Sequence, residues 1–287
     1  MGLFSGFEKL GLGNLSGADL YGKEEKAKEK AAAAAAKEKV EIQETDCIYE
    51  KKYKCPVCDS DFSAKIMKSG RTKLIGTDFD LRPKYDGIAA EKYDVLLCNR
   101  CGYAALGRYF TTLLPAQCKM IKEQITANIE LNKYNDETYT FKEALERYQI
   151  ALACAIVKKA KASEKAYICL KTAWVLRALR ESVEAGKDKY PEGMSAEDVT
   201  AQEEEYLRNA YTGFIEARQS ESFPMAGMDQ TTVDYLLAQL AFHLKEFDVA
   251  AKMVQALLTS PGANSRIKDK ARDLKDEIVA AKKAAGT

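Results

Sequence analysis

Cys55-Pro56-Val57-Cys58-Asp59 and Cys98-Asn99-Arg100-Cys101-Gly102 decide how this chain is read. Each C-x-x-C hook can place two thiolates about one metal ion, and two hooks supply a full tetrahedral set. The residue after the second Cys of such a hook often needs a left-handed backbone. Gly102 adopts it without steric cost, and Asp59 is among the few tolerated alternatives in the first hook. Cys55, Cys58, Cys98 and Cys101 are therefore the candidate metal ligands. Residues 59–97 between the hooks make a longer gap than the roughly 15–20 residues of compact zinc motifs, so an inserted hairpin or loop is expected there.

The strands can be read around the hooks. Phe62, Ala64 and Ile66 alternate with Ser63 and Lys65. Ser69-Gly70 signals a turn, and Lys73 to Ile75 resumes an extended pattern. Phe79 and Leu81 alternate with Asp78, Asp80 and Arg82, and Tyr93, Val95 and Leu97 run into Cys98. Period-two alternation broken by Gly and Pro predicts short antiparallel strands with the hooks at their base. Residues 46–114 are thus a zinc-ribbon-like β module.

From Pro115 the pattern turns helical, with segments predicted near 116–132, 138–159, 162–186, 196–221, 229–245, 247–259 and 263–285. Leu237-Ala238, Phe247, Ala250, Leu257 and Pro261 follow a tetratricopeptide-like helix pair, and Phe141, Ala144, Tyr148 and Ala151 repeat the offsets of Phe247, Ala250, Val254 and Leu257. Residues 115–287 are read as antiparallel, tetratricopeptide-like helical pairs. The whole is α+β, mostly α. Residues 1–45 are read apart from both, as a flexible N-terminal tail and a charged Ala-rich helix. Residues 1–22 carry six glycines and read as a mobile tail, and the Lys/Glu and six-Ala run at 23–39 reads as a solvated helix or spacer.

Composition narrows the function. Across 287 residues, 44 Lys and Arg against 43 Asp and Glu leave a net charge of +1, so no global basic footprint marks nucleic acid or acidic lipid. No apolar run approaches the ~20 residues that cross a bilayer. The first residues lack a secretory pattern, and Gly6 stands where a myristoylation motif wants Ser or Thr. Eight Cys without a signal sequence point to a reducing cytoplasm, with thiols free or metal-bound.

Four thiolates close the coordination sphere of Zn²⁺, leaving no position for water or substrate. Such a site is structural, and its binding free energy of about 10–16 kcal/mol in small zinc peptides matches the net stability of an ordinary domain. Lys52, Lys54 and Arg100 are placed to offset part of the −2 charge. Iron in the same tetrahedron would make a rubredoxin-like electron carrier. Separate redox motifs lack the parallel strand–helix context they need, and a zinc deaminase needs His-x-Glu where His243 is followed by Leu244-Lys245.

His243 is the one histidine, on a predicted helix among apolar residues, and reads as structural. Cys154 and Cys169 read as core residues, Cys47 as a spare thiol, and Cys118 carries no assignment. No Gly-rich phosphate loop stands at a strand-to-helix junction. Asp78, Asp80 and Arg82 on one strand face form either a surface charge ladder or a polar recognition or hard-metal site. Tyr167, Leu170, Trp174 and Ala178 make a core stripe, and Trp174 with Arg177 offers a clamp for an acidic partner.

Lys54 to Cys58, Asp78-Phe79-Asp80, and Tyr93 to Ala105 together resemble a bacterial family, the domain of unknown function numbered 2225. Ala173-Trp174 with Arg177 is similar to its helical signature. Asn99 departs from the proline usual in the second hook, which softens that turn without removing a ligand. The resemblance implies a bacterial cytoplasmic protein with a zinc-ribbon-like head and implies no activity. The expected function is a non-enzymatic, zinc-stabilised interaction module for a protein partner. The alternatives are a nucleic-acid-binding ribbon, since residues 46–110 carry twelve Lys and Arg against nine Asp and Glu, or the iron electron carrier. An unfamiliar enzymatic chemistry would fall nearest Asp78, Asp80 and Arg82.

Overall fold

Two hairpins and an excursion between them make up the head. A computed structural model describes residues 42–285, and the expectations for the glycine-rich start and the Ala-rich helix lie outside them. A 3-10 turn at Glu44–Cys47 leads into strand β1 (Ile48–Lys54), which pairs antiparallel with β2 (Asp61–Met67) from Ile48↔Met67 to Lys54↔Asp61. The first hook is the connection between them. β5 (Val95–Leu97) and β6 (Ala104–Leu106) pair from Val95↔Leu106 to Leu97↔Ala104 and carry the second hook in the same way. On β2 the alternation holds, with Phe62 and Ala64 buried and Asp61 and Ser63 outward.

The expected insertion is a small hairpin, β3 (Leu74–Thr77) with β4 (Pro83–Tyr85), followed by a 3-10 turn at Ala90–Tyr93. One expectation is overturned. Residues 78–82 are a tight turn and not a strand: Asp78 N–H donates to Arg82 O at 2.9 Å, and Leu81 N–H donates to Asp78 O at 3.1 Å. Leu81 has φ +70°, a left-handed conformation that a branched side chain adopts only when its surroundings impose it.

Seven helices follow among the described residues. Helix α1 (Pro115–Ile121) starts with Pro at its first turn, where the missing N–H is no loss, and runs on as a π turn at Lys122–Thr126. It ends earlier than the residue 132 expected from sequence, because Thr126 Oγ1 donates to Cys101 O at 2.8 Å and Ile129 then packs onto the second hook. Helix α2 (Phe141–Val157) is capped by Thr140, and α3 spans Ala162–Glu184. A Ser195–Asp198 capping box opens α4 (Ala196–Ser220), and Asp229 caps α5 (Gln230–His243). Last come α6 (Phe247–Thr259) and α7 (Ser265–Ala285), the latter capped by Asn264 Oδ1 accepting from Ile267 N–H at 2.9 Å. Consecutive helices from α3 onward pack as neighbours in an array.

Residues from Gln43 onward form one compact unit, and the core crosses the border near residue 114. One hydrophobic cluster joins Val95, Ala104 and Leu106 of the head to Phe141, Ala144 and Tyr148 of α2 and Ile168, Val175 and Leu179 of α3. A second surrounds the hooks with Phe62, Tyr103, Phe110, Ile121 and Cys154, and a third fills the array from α3 to α7. Ala238 and Ala250 are fully buried where α5 and α6 cross, as expected of small residues at a helix contact.

Candidate metal centre

The two hooks fold identically. In each, the first Cys carbonyl accepts a hydrogen bond at 2.9 Å from the residue after the second Cys: Asp59 N–H to Cys55 O, and Gly102 N–H to Cys98 O. Each first Cys N–H then donates across the base of its hairpin, Cys55 to Ser60 O at 3.0 Å and Cys98 to Tyr103 O at 2.9 Å. Asp59 (φ +57°) and Gly102 (φ +73°) take the left-handed backbone foreseen for them.

This geometry brings the four sulfurs together. All four Sγ atoms lie within 4.8 Å of one another, with Cys55–Cys101 at 3.6 Å and Cys58–Cys98 at 3.7 Å. A tetrahedron of thiolates about 2.3 Å from a central ion has edges of about 3.8 Å, so the sulfurs sit where a metal would hold them. Cys55, Cys98 and Cys101 are at most 2% exposed, and Cys58 is half-buried. The cluster can hold a metal ion, and its soft donor set suits zinc or iron.

The electrostatics of the closely set thiols favour a cation among them. Hydrogen bonds from Cys101 and Cys55 hold the Cys98 thiol down to about 2. For Cys55 the hydrogen bond with Cys101 lowers the value, but Cys98 and burial together push it up to about 12. Hydrogen bonds with Cys55 and Cys98 drive Cys101 far upward. Burial and the facing thiols thus favour the protonated form of Cys55 and Cys101 beside Cys98. Four thiolates coexist only around a cation.

Residues that spacing gave no reason to choose support the hooks. Cys118 of α1 sets its thiol 3.6 Å from Pro56 O, and Cys154 of α2 sets its thiol 3.8 Å from Gly102 O while accepting from Ala104 N–H at 3.5 Å. A helix thiol thus meets a backbone carbonyl of each hook, and neither belongs to the four-sulfur group. Only tertiary packing reveals this. Cys47 is buried at the end of the 3-10 turn that precedes β1, and burial raises its thiol pKa. Lys54 pairs with Asp59 at 3.9 Å on the exposed rim.

The charged candidates go elsewhere. Asp78, Asp80 and Arg82 form no surface ladder, since Asp80 is fully buried and Arg82 is 2% exposed. Arg82 donates to Asp78 at 2.6 Å and to Glu181 of α3 at 2.6 and 2.7 Å. Arg177 is committed to Asp80, at 2.8 and 3.0 Å, and to Glu203 of α4, at 2.6 Å. Trp174 is buried in the helical core, with Lys171 over its ring. His243 stacks on Phe79 with ring centres 4.9 Å apart, and burial followed by Arg177 lowers its pKa.

No helix among the described residues is long and apolar enough to cross a membrane. Neither the curated proteins nor the solved structures contain a match to this chain. A family model does match, over residues 48–278, from the first residue of β1 to the third quarter of α7. That span holds both hooks, the insertion and nearly all of the helical array, so the chain belongs to the family described as an uncharacterized protein conserved in bacteria, domain of unknown function 2225.

Proposed function

We propose that Cys55, Cys58, Cys98 and Cys101 hold one structural Zn²⁺, and that the chain is a non-enzymatic interaction module. In it a metal-stapled β head anchors a tetratricopeptide-like helical array that takes a protein segment. One observation carries the first part: four sulfurs within 4.8 Å of one another, three of them buried, form a complete ligand set with no side for substrate. When bound, zinc supplies a rigid cross-link and charge neutralisation. The chain's own part is to present the sulfurs, through two backbone turns that face each other across the base of two hairpins.

The extended helical face beyond the head supports the interaction reading, since stacked helix pairs offer long surfaces to a bound segment. A reducing cytoplasmic setting suits the free thiols. The test is elemental analysis of chain purified without added metal, together with cross-linking in the producing cell. One zinc per chain in a colourless sample, with cross-links from a protein partner to the helical array, is the expected result. An iron-coloured sample would make the centre an electron carrier, and salt-dependent retention on RNA without a protein partner would make the head a nucleic-acid ribbon.

A further inference from the structure

Between the hooks the chain travels away from the metal ligands and ends on the helices. The turn at residues 78–82 presents Asp78-Phe79-Asp80 to α3, α4 and α5. Arg177 of α3 grips it through Nη1 and Nη2, which donate to the two carboxylate oxygens of Asp80 at 3.0 and 2.8 Å, and Nη1 also reaches Asp78 at 3.2 Å. The same guanidinium lies 4.7 Å from the centre of the Phe79 ring. His243 of α5 stacks on that ring with planes 13° apart. From the far side, Glu203 of α4 accepts from Arg177 Nε at 2.6 Å and fixes the guanidinium in its plane.

Three helices therefore build a receptor of one clamped arginine and one aromatic plate, and the chain's own tripeptide fits it by charge and by stacking. We infer that the face made by Arg177, Glu203 and His243 is a docking site for an acidic–aromatic–acidic peptide segment, held in this structure by Asp78-Phe79-Asp80, and that a protein partner bearing the same chemistry docks by displacing it. This inference rests on the interaction-module reading and gives it a site and a partner class.

Displacement is physically reasonable for three reasons. A competing pair of carboxylates makes the same contacts with Arg177, so the exchange leaves that guanidinium paired, while Arg82, bonded to Glu181 and facing Glu91, keeps the far end of the turn anchored to α3. Leu81 sits left-handed at φ +70°, and release relaxes it. The turn is flanked by the exposed Leu74 and Ile75 of β3 on one side and by Arg82, held on Glu181, on the other, so the part that exchanges is the tip at residues 78–80. Its tether gives the internal segment an effective concentration in roughly the millimolar range, and the closed turn therefore weakens an outside competitor.

The test uses the metal-loaded full chain and a fluorescent peptide spanning residues 76–84, read by anisotropy. A Phe79→Ala/Asp80→Ala chain, with its turn unanchored, is expected to bind the peptide at least ~10-fold tighter than wild type. Adding Arg177→Met is expected to abolish that binding, and a scrambled peptide should not bind. A folded, metal-loaded opened variant that ignores the peptide, or that binds it equally well once Arg177→Met is added, overturns the inference. Should the opened variant fail to fold, hydrogen exchange on wild type decides. Excess peptide should speed exchange of the Leu81 amide and leave the Asp59 and Gly102 amides unchanged, and a Leu81 amide indifferent to saturating peptide overturns the inference. A partner cross-linked elsewhere on the array, with Leu81 still protected, sinks this site and leaves the module reading standing.

Discussion

A Cβ placed on Gly102 would lie 2.6 Å from Cγ2 of Ile129, closer than real side chains approach. The second hook thus turns beneath a residue that arrives from beyond α1, and both its φ of +73° and this contact demand glycine. Gly102→Ala should cost ~1–2 kcal/mol for the left-handed backbone and a further ~1–3 kcal/mol for the overpacking. Adding Ile129→Ala should recover only the second share. Asp59, with φ +57° in the other hook and an exposed side chain, should accept glycine without loss. Thermal melts of the metal-loaded variants check all three, and a single Gly102→Ala melt matching wild type would refute the steric reading.

Removal of any one of the four ligands should empty the centre. Cys98→Ser is expected to carry no stoichiometric metal and to melt in two steps, the head first, because the zinc free energy of about 10–16 kcal/mol is folding free energy for so few strands. Cys118→Ser and Cys154→Ser should keep the metal, since each touches a hook carbonyl and not the ion. Protons compete for the thiolates, so retention against a chelator should fall as pH drops from about 8 to about 6. Metal content by elemental analysis decides. A Cys98→Ser chain with full metal would remove it from the ligand set.

The Asp80–Arg177 pair is buried on both sides, and its two partners should behave asymmetrically when cut singly or together. Asp80→Asn or Arg177→Met alone should cost about 3–5 kcal/mol, because each leaves its buried partner uncompensated. The double variant should cost clearly less than the sum of the two. A urea-melt cycle measures this. Strict additivity would mean that the pair does not act as a unit.

Much of this arrangement was legible in the residues themselves. The hooks announced their own backbone, since Gly102 and Asp59 mark left-handed positions by identity alone. The helices declared themselves by the turn to a helical pattern from Pro115 onward. Asp78, Asp80 and Arg82 misled because alternation reports which side chains diverge from one another. It does not report that a charged face will be recruited by arginine and glutamate nearly a hundred residues later. The shortened α1 escaped notice for the same reason: the contacts that end it, Thr126 on Cys101 O and Ile129 beside Gly102, come from the second hook, and no local signal carries them. Cys118 and Cys154 lie at no ligand spacing, so their place against the hook carbonyls appears only once the helices are packed.

Glu91 gives the chain a pH dependence of defined sign. Its carboxyl is 6% exposed and touches Arg82 Nη1 only at 3.4 Å. Burial raises its pKa from an ordinary 4.5 to about 7, outweighing Arg82, which pulls the other way. Between those two values the folded chain holds a proton that the unfolded chain releases, so stability falls as pH rises through that window. The loss is roughly 3 kcal/mol at most and is complete above about pH 7. Asp78 and Glu181 shift oppositely, held low against burial by Arg82 and its neighbours, so their contributions disappear on the acid side, below the ordinary carboxylate range. The two effects therefore occupy separate windows. Glu91→Gln imitates the protonated acid, so it should match wild type near pH 5 and exceed it near pH 8. Thiolate protonation at the metal centre affects both chains alike and drops out of the difference. Urea melts at pH 5, 6, 7 and 8 would show the gap opening with rising pH, and parallel curves would show that Glu91 stays ionised in the fold, paired with Arg82.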